Sequence, residues 1–433
     1  VTPRRKILLV AIVPLGLLGF AVLSWRPAIA PVEPPGAGSF SAVSVRRGEV
    51  LADEAHCISC HTAPDGKPFA GGYGVNTPFG VIFGTNITPD PTTGIGAWSR
   101  EAFVRAMREG VSRDGSHLFA AFPYVAFTKL SDGDVEDLYA YVMTRPPVVA
   151  QSPANTVPFP LNIRALQAGW KLLFFRSGRF HPDAGKPAEW NRGAYLAGAV
   201  ADCEGCHTPR NPLGAESHRL AYEGAPIDGW IAPALTAANP SPIPWIEGEL
   251  FDYLRTGRAR WHGPTSATMT PIIREGLALP VVPESEVRAI AAYFSVINGA
   301  GSDDPSAHET EQKALASSGP GDETGPGNVA AVYAAACMSC HYNSGSASSA
   351  RPELALSSSL TMAEPTNFLQ VLVNGVGSKD GAAGLVMPSY AGLSDHEIVE
   401  LAAYLRRTRT NRPPWKDLDK RVAEIRRGSA SLR

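Results

Sequence analysis

The sequence predicts an all-α chain in which one small helical domain occurs three times in tandem behind an N-terminal membrane segment. Three observations predict it. The stretch Cys57-Ile58-Ser59-Cys60-His61 recurs as Cys203-Glu204-Gly205-Cys206-His207 and as Cys337-Met338-Ser339-Cys340-His341. Each copy is followed by two segments of helical apolar spacing, the first ending at a glycine and the second carrying a tyrosine on its apolar face. An apolar run from Ile7 to Trp25 follows the basic cluster Arg4, Arg5 and Lys6.

The repeated motif carries the chemistry. C-x-x-C-H is the attachment pattern of c-type haem, in which two thiols form thioethers to the vinyl groups and the adjacent histidine becomes an axial ligand. A structural zinc site needs four ligands gathered together, whereas these motifs lie more than a hundred residues apart and none has a second cysteine pair nearby. All six cysteines are consumed, which leaves no disulfide framework. Three covalently bound haem c groups are expected, attached at Cys57 and Cys60, Cys203 and Cys206, and Cys337 and Cys340, with His61, His207 and His341 on the irons.

The 433 residues suit about three domains. Lys and Arg total 39 against 41 acidic residues and are scattered, so nothing points to nucleic acid. Haem c is attached outside the cytoplasm, which sets the periplasmic side of the bacterial inner membrane as the expected location.

In chain order, residues 1–30 read as a signal anchor or signal peptide, long enough for a short membrane span. Ala28-Ile29-Ala30 has the form of a cleavage site, but Pro31 is a poor residue after a scissile bond, so a retained anchor is favoured. Residues 31–44, rich in Pro and Gly, read as a tether. The first domain spans 45–145, the second 189–300 and the third 328–410. A helix runs from Phe103, Leu250 or Phe368 and stops at Gly110, Gly257 or Gly375. The following helix carries Val135, Leu138, Tyr141 and Val142, then Val287, Ile290, Tyr293 and Phe294, then Ile398, Leu401, Tyr404 and Leu405. Ser394 with Glu397 forms a capping box, and Ser131 with Asp134 a weaker version.

Between these helices lies the position that matters. Twelve residues past each glycine stand Phe122, Met269 and Met387. A methionine thioether is a usual second axial ligand of haem c and raises its potential, so Met269 and Met387 are the expected ligands, each presented by a loop. Phe122 has no donor atom. His117 in the same loop, Met107, Met143, or a five-coordinate or water-bound iron are the alternatives for the first haem. His56 reads as an exposed bystander. Pro233 and Pro352 are placed to accept the proximal histidine's Nδ1 proton through their carbonyls. Asn86 to Asp90 and Gly94 to Trp98 read equally as a loop over a haem edge, with the Trp98 indole donating to a propionate, or as a plain surface loop.

Of the linkers, 146–188 begins proline-rich and holds the apolar stretch Asn162 to Phe175, which is expected to pack against the first two haem domains, with docking on a partner or the bilayer as the alternative. Residues 301–327 are acidic and Ser/Gly-rich and read as flexible, leaving the third domain mobile. Residues 411–433 read as a C-terminal tail.

The three C-x-x-C-H sites, the Asn86 to Asp90 and Gly94 to Trp98 loops, Cys206-His207-Thr208-Pro209-Arg210-Asn211 and the methionine loops resemble the triheme cytochrome c subunits of membrane-bound periplasmic dehydrogenases, including those of alcohol, gluconate and aldehyde dehydrogenases. The resemblance covers nearly all of the chain after the anchor. In the alcohol and gluconate branch the first domain normally has methionine before Pro-Tyr, where this chain has Ala121-Phe122-Pro123-Tyr124. That variant, Ala168-Gly169-Trp170-Lys171-Leu172-Leu173-Phe174-Phe175 and Pro413-Pro414-Trp415 are more similar to cytochromes partnered with molybdenum hydroxylases of the nicotinate and isoquinoline dehydrogenase type. This branch implies a molybdopterin catalytic subunit with a 2Fe-2S subunit, and electrons passing through the haems to membrane quinone or a terminal oxidase. The other branch implies a quinoprotein alcohol or flavoprotein sugar dehydrogenase. On either, the chain is an electron-transfer subunit without substrate chemistry of its own; a haem peroxidase using the first iron is the remaining rival.

Overall fold

The computed structural model describes residues 18–301, 304–316, 329–342, 351–377 and 387–431. It divides into two compact units, one comprising the chain to Pro182 with Gly198–Asp202, the other Asp183–Ala197 with Cys203–Arg433.

The first unit contains α1 (Ala42–Glu54), α2 (Cys57–Cys60), the hairpin β1 (Gly74–Thr77) and β2 (Gly80–Phe83), then α3 (Arg100–Glu109), α4 (Tyr124–Phe127), α5 (Asp132–Met143) and α6 (Leu166–Phe174). Ser41, Ser99 and Ser131 cap α1, α3 and α5, each hydroxyl accepting from the amide three residues on. Gly110 ends α3 at φ 60, the left-handed stop expected of a glycine there. Helices α1 and α5 cross closely, because Gly48 brings the backbones together: a Cβ there would collide with the Asp137 carbonyl and come within 2.7 Å of Tyr141 Cβ. Tyr124, Leu130 and Leu138 lie fully buried in this core.

The second unit holds two copies of the same helix plan. The first copy comprises α7 (Ala188–Tyr195), α8 (Cys203–His207), β3 (Ala225–Ile227), β4 (Trp230–Ala232), α9 (Glu247–Thr256), β5 (Arg258–Ala259), β6 (Gly263–Pro264), α10 (Met269–Ile272) and α11 (Glu284–Ile297). Gly193 repeats the role of Gly48, its position facing the Ala289 carbonyl and Tyr293 Cβ. After α12 (Ala307–Ala316) come α13 (Val329–Ala336), α14 (Met338–His341), α15 (Ser358–Thr361), α16 (Thr366–Asn374), α17 (Asp395–Arg409) and α18 (Leu418–Ser431). The capping box at Ser394 and Glu397 is complete, and Gly257 and Gly375 end their helices at positive φ. The two copies are joined by hydrogen bonds: Asn367 exchanges both amide bonds with Ile231, and Thr361 donates to the Pro240 carbonyl at 2.6 Å.

An arginine two residues before the helix-ending glycine is a repeated device. Arg108 donates to the carbonyls of Thr128 and Leu130, and Arg255 to those of Leu277, Leu279 and Val282. Each staples the turn that follows Phe122 or Met269 back onto the helix, so that turn is held on both sides.

Several expectations change. The fold is mostly helical, but three two-stranded antiparallel hairpins interrupt it. Residues 307–316, expected to be flexible linker, form α12, whose Ala307 and Ala314 are buried against Trp261 and whose buried Glu311 accepts from Arg260 at 2.8 Å. The expected C-terminal tail contains α18, with Trp415, Leu418, Val422 and Ile425 inside the core of α16 and α17. The tether reading changes at its start: Val32 N donates to the Ala97 carbonyl, and just before it Ile29 N donates to that of Arg113 at 2.8 Å. The apolar stretch 162–175 packs on the first unit, with Trp170 and Phe175 set edge-on to Tyr124. Residues 1–17, which hold Arg4, Arg5, Lys6 and much of the apolar run, lie outside the described residues; 18–24 are helical. No helix among the described residues is long and apolar enough to cross a membrane.

Candidate haem sites

Each motif follows a helix: α1 leads to Cys57, α7 to Cys203 and α13 to Cys337. His56 (φ 53) and Asp202 (φ 48) take left-handed backbone immediately before their cysteines, turning the chain into the short helical segment of the motif. There the two cysteines, three apart, share one side of a turn. None of the six is paired in a disulfide. Burial pushes the Cys57 thiol up to about 12 and Cys337 to about 11, the reverse of the depressed thiol of a redox-active dithiol. No cluster of three or more His, Cys, Asp or Glu side chains capable of holding a metal exists among the described residues.

The three motif histidines are set alike. His61 Nδ1 lies 2.6 Å from the Thr85 carbonyl, His207 Nδ1 2.7 Å from that of Pro233, and His341 Nδ1 2.9 Å from that of Pro352. A carbonyl only accepts, so each Nδ1 carries the proton and each Nε2 keeps its lone pair, the tautomer an iron requires. Burial holds all three rings below their ordinary pKa, keeping them neutral. Pro233 and Pro352 stand where sequence placed them. Thr85 was missed, because its route to His61 depends on Gly84, where any side chain would collide with the Cys60 carbonyl.

Within the second unit one cavity of about 690 Å³ is lined by Cys203, Cys206, His207 and Met269 and also by Cys337, Cys340, His341 and Met387. Two predicted ligand sets therefore open into one space, whose walls include Leu250, Leu254, Phe294, Phe368 and Leu372. Met387 is fixed by two 2.9 Å backbone hydrogen bonds with Val376. Met269 opens the short helix α10 instead of lying in a loop. Paired thiols, neutral histidines with oriented Nδ1, and methionines lining the same largely apolar cavity fit two covalently held haems.

The first unit differs. Phe122 packs edge-on against Phe127 at 5.6 Å. His117 is buried, and both ring nitrogens are engaged: Nε2 donates to the Ser24 carbonyl at 2.9 Å, and Nδ1 accepts from Lys171 Nζ at 3.1 Å. That arrangement does not present His117 to the motif histidine. Met107 and Met143 are buried within α3 and α5. His56 is not the exposed bystander expected; its ring is buried, without a hydrogen-bond partner among the described residues, and burial lowers its pKa to about 4. The loop 86–98 is an interior knot. Asn86, Thr88 and Asp90 are buried, with Asn86 Nδ2 donating to the Val148 carbonyl at 2.7 Å and Thr93 Oγ1 accepting from Ala150 N. These bonds tie the proline-rich stretch after α5 to the first repeat. Trp98 contributes its carbonyl to this packing, accepting from Tyr139 Oη at 2.9 Å.

Comparison with known proteins places this geometry. Residues 45–146 match the cytochrome c family model, and residues 326–405 that of cytochrome C oxidase, cbb3-type, subunit III. A nicotinate dehydrogenase subunit of Pseudomonas putida is 43% identical over 96% of this chain, which spans only about a third (34%) of that relative's length. The fructose dehydrogenase cytochrome subunit of Gluconobacter japonicus is 35% identical, covering 87% of this chain and 81% of its own. The cytochrome c subunit of the quinone alcohol dehydrogenase of Gluconobacter oxydans is 32% identical, covering 86% and 79%. The chain thus belongs to the family of cytochrome c subunits of dehydrogenases, electron-transfer proteins that carry covalently bound haem c.

Proposed function

We propose that this chain carries three haem c groups in three tandem cytochrome domains and relays electrons from a catalytic dehydrogenase partner to membrane quinone or a terminal oxidase. The observation that carries the reading is the single cavity on which Cys203, Cys206, His207 and Met269 meet Cys337, Cys340, His341 and Met387. The haems supply one-electron exchange. The chain's own part is to hold each axial histidine through a backbone carbonyl and to keep water from the second and third sites with apolar walls. Met269 and Met387 are the proposed sixth ligands there. In the first domain Phe122 offers no donor and the His117 nitrogens are taken, so the sixth position is open to small ligands.

The proposed partner is a molybdenum hydroxylase-type enzyme with a 2Fe-2S subunit, supported by the 43% identity to a nicotinate dehydrogenase subunit along nearly the whole chain. The proposed location is the periplasmic face of the inner membrane, held there by the N-terminal segment. Purification of the tagged protein from native membranes in mild detergent, followed by metal analysis and mass spectrometry, tests this. Molybdenum and an iron-sulfur subunit are expected. A quinoprotein or flavoprotein in their place would move the chain to the alcohol or sugar dehydrogenase branch, which the fructose and alcohol dehydrogenase relatives also favour.

A further inference from the structure

The C-terminal end of α9 closes a loop at both its ends, and Met269 lies between the two closures. Upstream, Thr265 N donates to the Gly257 carbonyl at 2.8 Å, four residues before the methionine. Thr265 is fully buried, Ala267 takes left-handed backbone at φ 55, and the Thr270 hydroxyl donates to that of Thr265 at 3.3 Å. These contacts fix the point at which the chain enters α10. Downstream, α10 runs on into a π-helical turn, Ile273–Leu277. Arg255 Nη1 lies 2.9, 3.0 and 3.1 Å from the carbonyl oxygens of Leu277, Leu279 and Val282. The end of a helical stretch leaves carbonyls without helix donors, and a guanidinium is the side chain with enough N–H groups to serve several at once. Leu277 and Val282 are buried, so the gripped turn belongs to the core.

The other two copies separate this arrangement from the fold at large. In the first unit, Leu118 N donates to the Gly110 carbonyl at 2.7 Å and Arg108 donates to the carbonyls of Thr128 and Leu130, so both closures are repeated around Phe122. In the third copy Val373 stands two residues before the helix-ending glycine, where the others have arginine, and Met387 is held directly by its backbone pair with Val376. Methionine and an arginine-held turn coincide in the second copy. A thioether is a neutral, weak donor, so its hold on iron depends on how firmly its support is fixed.

We propose that Arg255 is a positioning residue for the second haem: by gripping the turn behind Met269 it keeps the thioether on the iron and sustains the raised potential that this ligand confers. This rests on the reading of haem at the Cys203 motif with Met269 as its sixth ligand.

The test uses the full chain carrying Arg255→Lys, Arg255→Gln or, as a control, Arg108→Lys. The mass of the denatured chain counts attached haems. Potentiometric titration, the methionine-to-iron band and carbon monoxide uptake by the reduced protein read the iron, and a thermal midpoint reads stability. Repeating the set on a Met387→Ala background leaves Met269 as the source of the band. Both Arg255 variants should weaken the band, lower one midpoint potential and raise carbon monoxide uptake by up to one further haem per chain, glutamine more than lysine. Lysine keeps the positive charge but not the planar fork, so a fall in potential there is not the loss of a nearby charge. Arg108→Lys should lower the thermal midpoint and leave band and potentials as they are. Should Arg255→Gln lack haem at the second motif, Arg255→Lys decides. A lowered thermal midpoint with band, potentials and carbon monoxide uptake unchanged would make Arg255 a structural staple and overturn the proposal. An effect on potential confined to glutamine, with the band intact, would overturn it as well. If Met269→Ala itself leaves the band and the potentials unmoved, the underlying reading falls, and this proposal with it.

Discussion

A single hydrogen bond decides what each motif histidine can do. With Nδ1 fixed on a carbonyl, the ring presents only Nε2, and rotation away would break that bond. The acceptors were legible at Pro233 and Pro352, since a Pro-x-Leu triplet recurs downstream of both motifs, and illegible at Thr85, which nothing but tertiary approach brings to His61. His56 was misread for a related reason, because one left-handed residue turns its side chain inward and no periodicity records that. Phe122 and the engaged His117 carry a direct prediction. On the proposed three-haem reading, the reduced protein should bind carbon monoxide at one haem, and Met269→Ala and Met387→Ala should each add one more. Optical titration with carbon monoxide reads this, and binding at all three haems of the unsubstituted protein would refute the methionine assignments.

At the scale of elements, the long helices and their stops were plain in the sequence. The serine caps, the glycine stops and the tyrosine-bearing helices all stand where spacing put them. Two helices were missed. In α12 the buried stripe is Ala307, Glu311 and Ala314, side chains too small or too polar to register as an apolar face. In α18 Leu418, Val422 and Ile425 do repeat at helical spacing, but a background of Arg, Lys and Glu masks them. The hairpins are two to four residues per strand, too short for alternation to show. The helix crossings at Gly48 and Gly193 are the sharpest elements to test. Alanine at either forces a Cβ into the partner helix's backbone, and each substitution should destabilise its own unit by about 1–3 kcal/mol, read as a lowered thermal midpoint. Unchanged unfolding in Gly193→Ala would mean that α7 and α11 lie farther apart than described.

On the scale of the whole molecule, the sequence announced three repeats but not their grouping, since the bonds joining the second and third copies run through single polar side chains such as Asn367 and Thr361. Their shared cavity follows from that grouping, which no local pattern encodes. The residues just after the described N-terminal helix have a consequence of another kind. Arg105 donates to the Pro27 carbonyl, Arg113 to that of Ile29 and His117 to that of Ser24, so the backbone on the near side of Ala30 is part of how the first unit satisfies its side-chain donors. Proteolytic maturation at Ala28-Ile29-Ala30 would remove all three acceptors at once and leave water to replace them. N-terminal sequencing of the purified protein should therefore find a start upstream of Ser24; a start at Pro31 would show that the first unit matures without that strap.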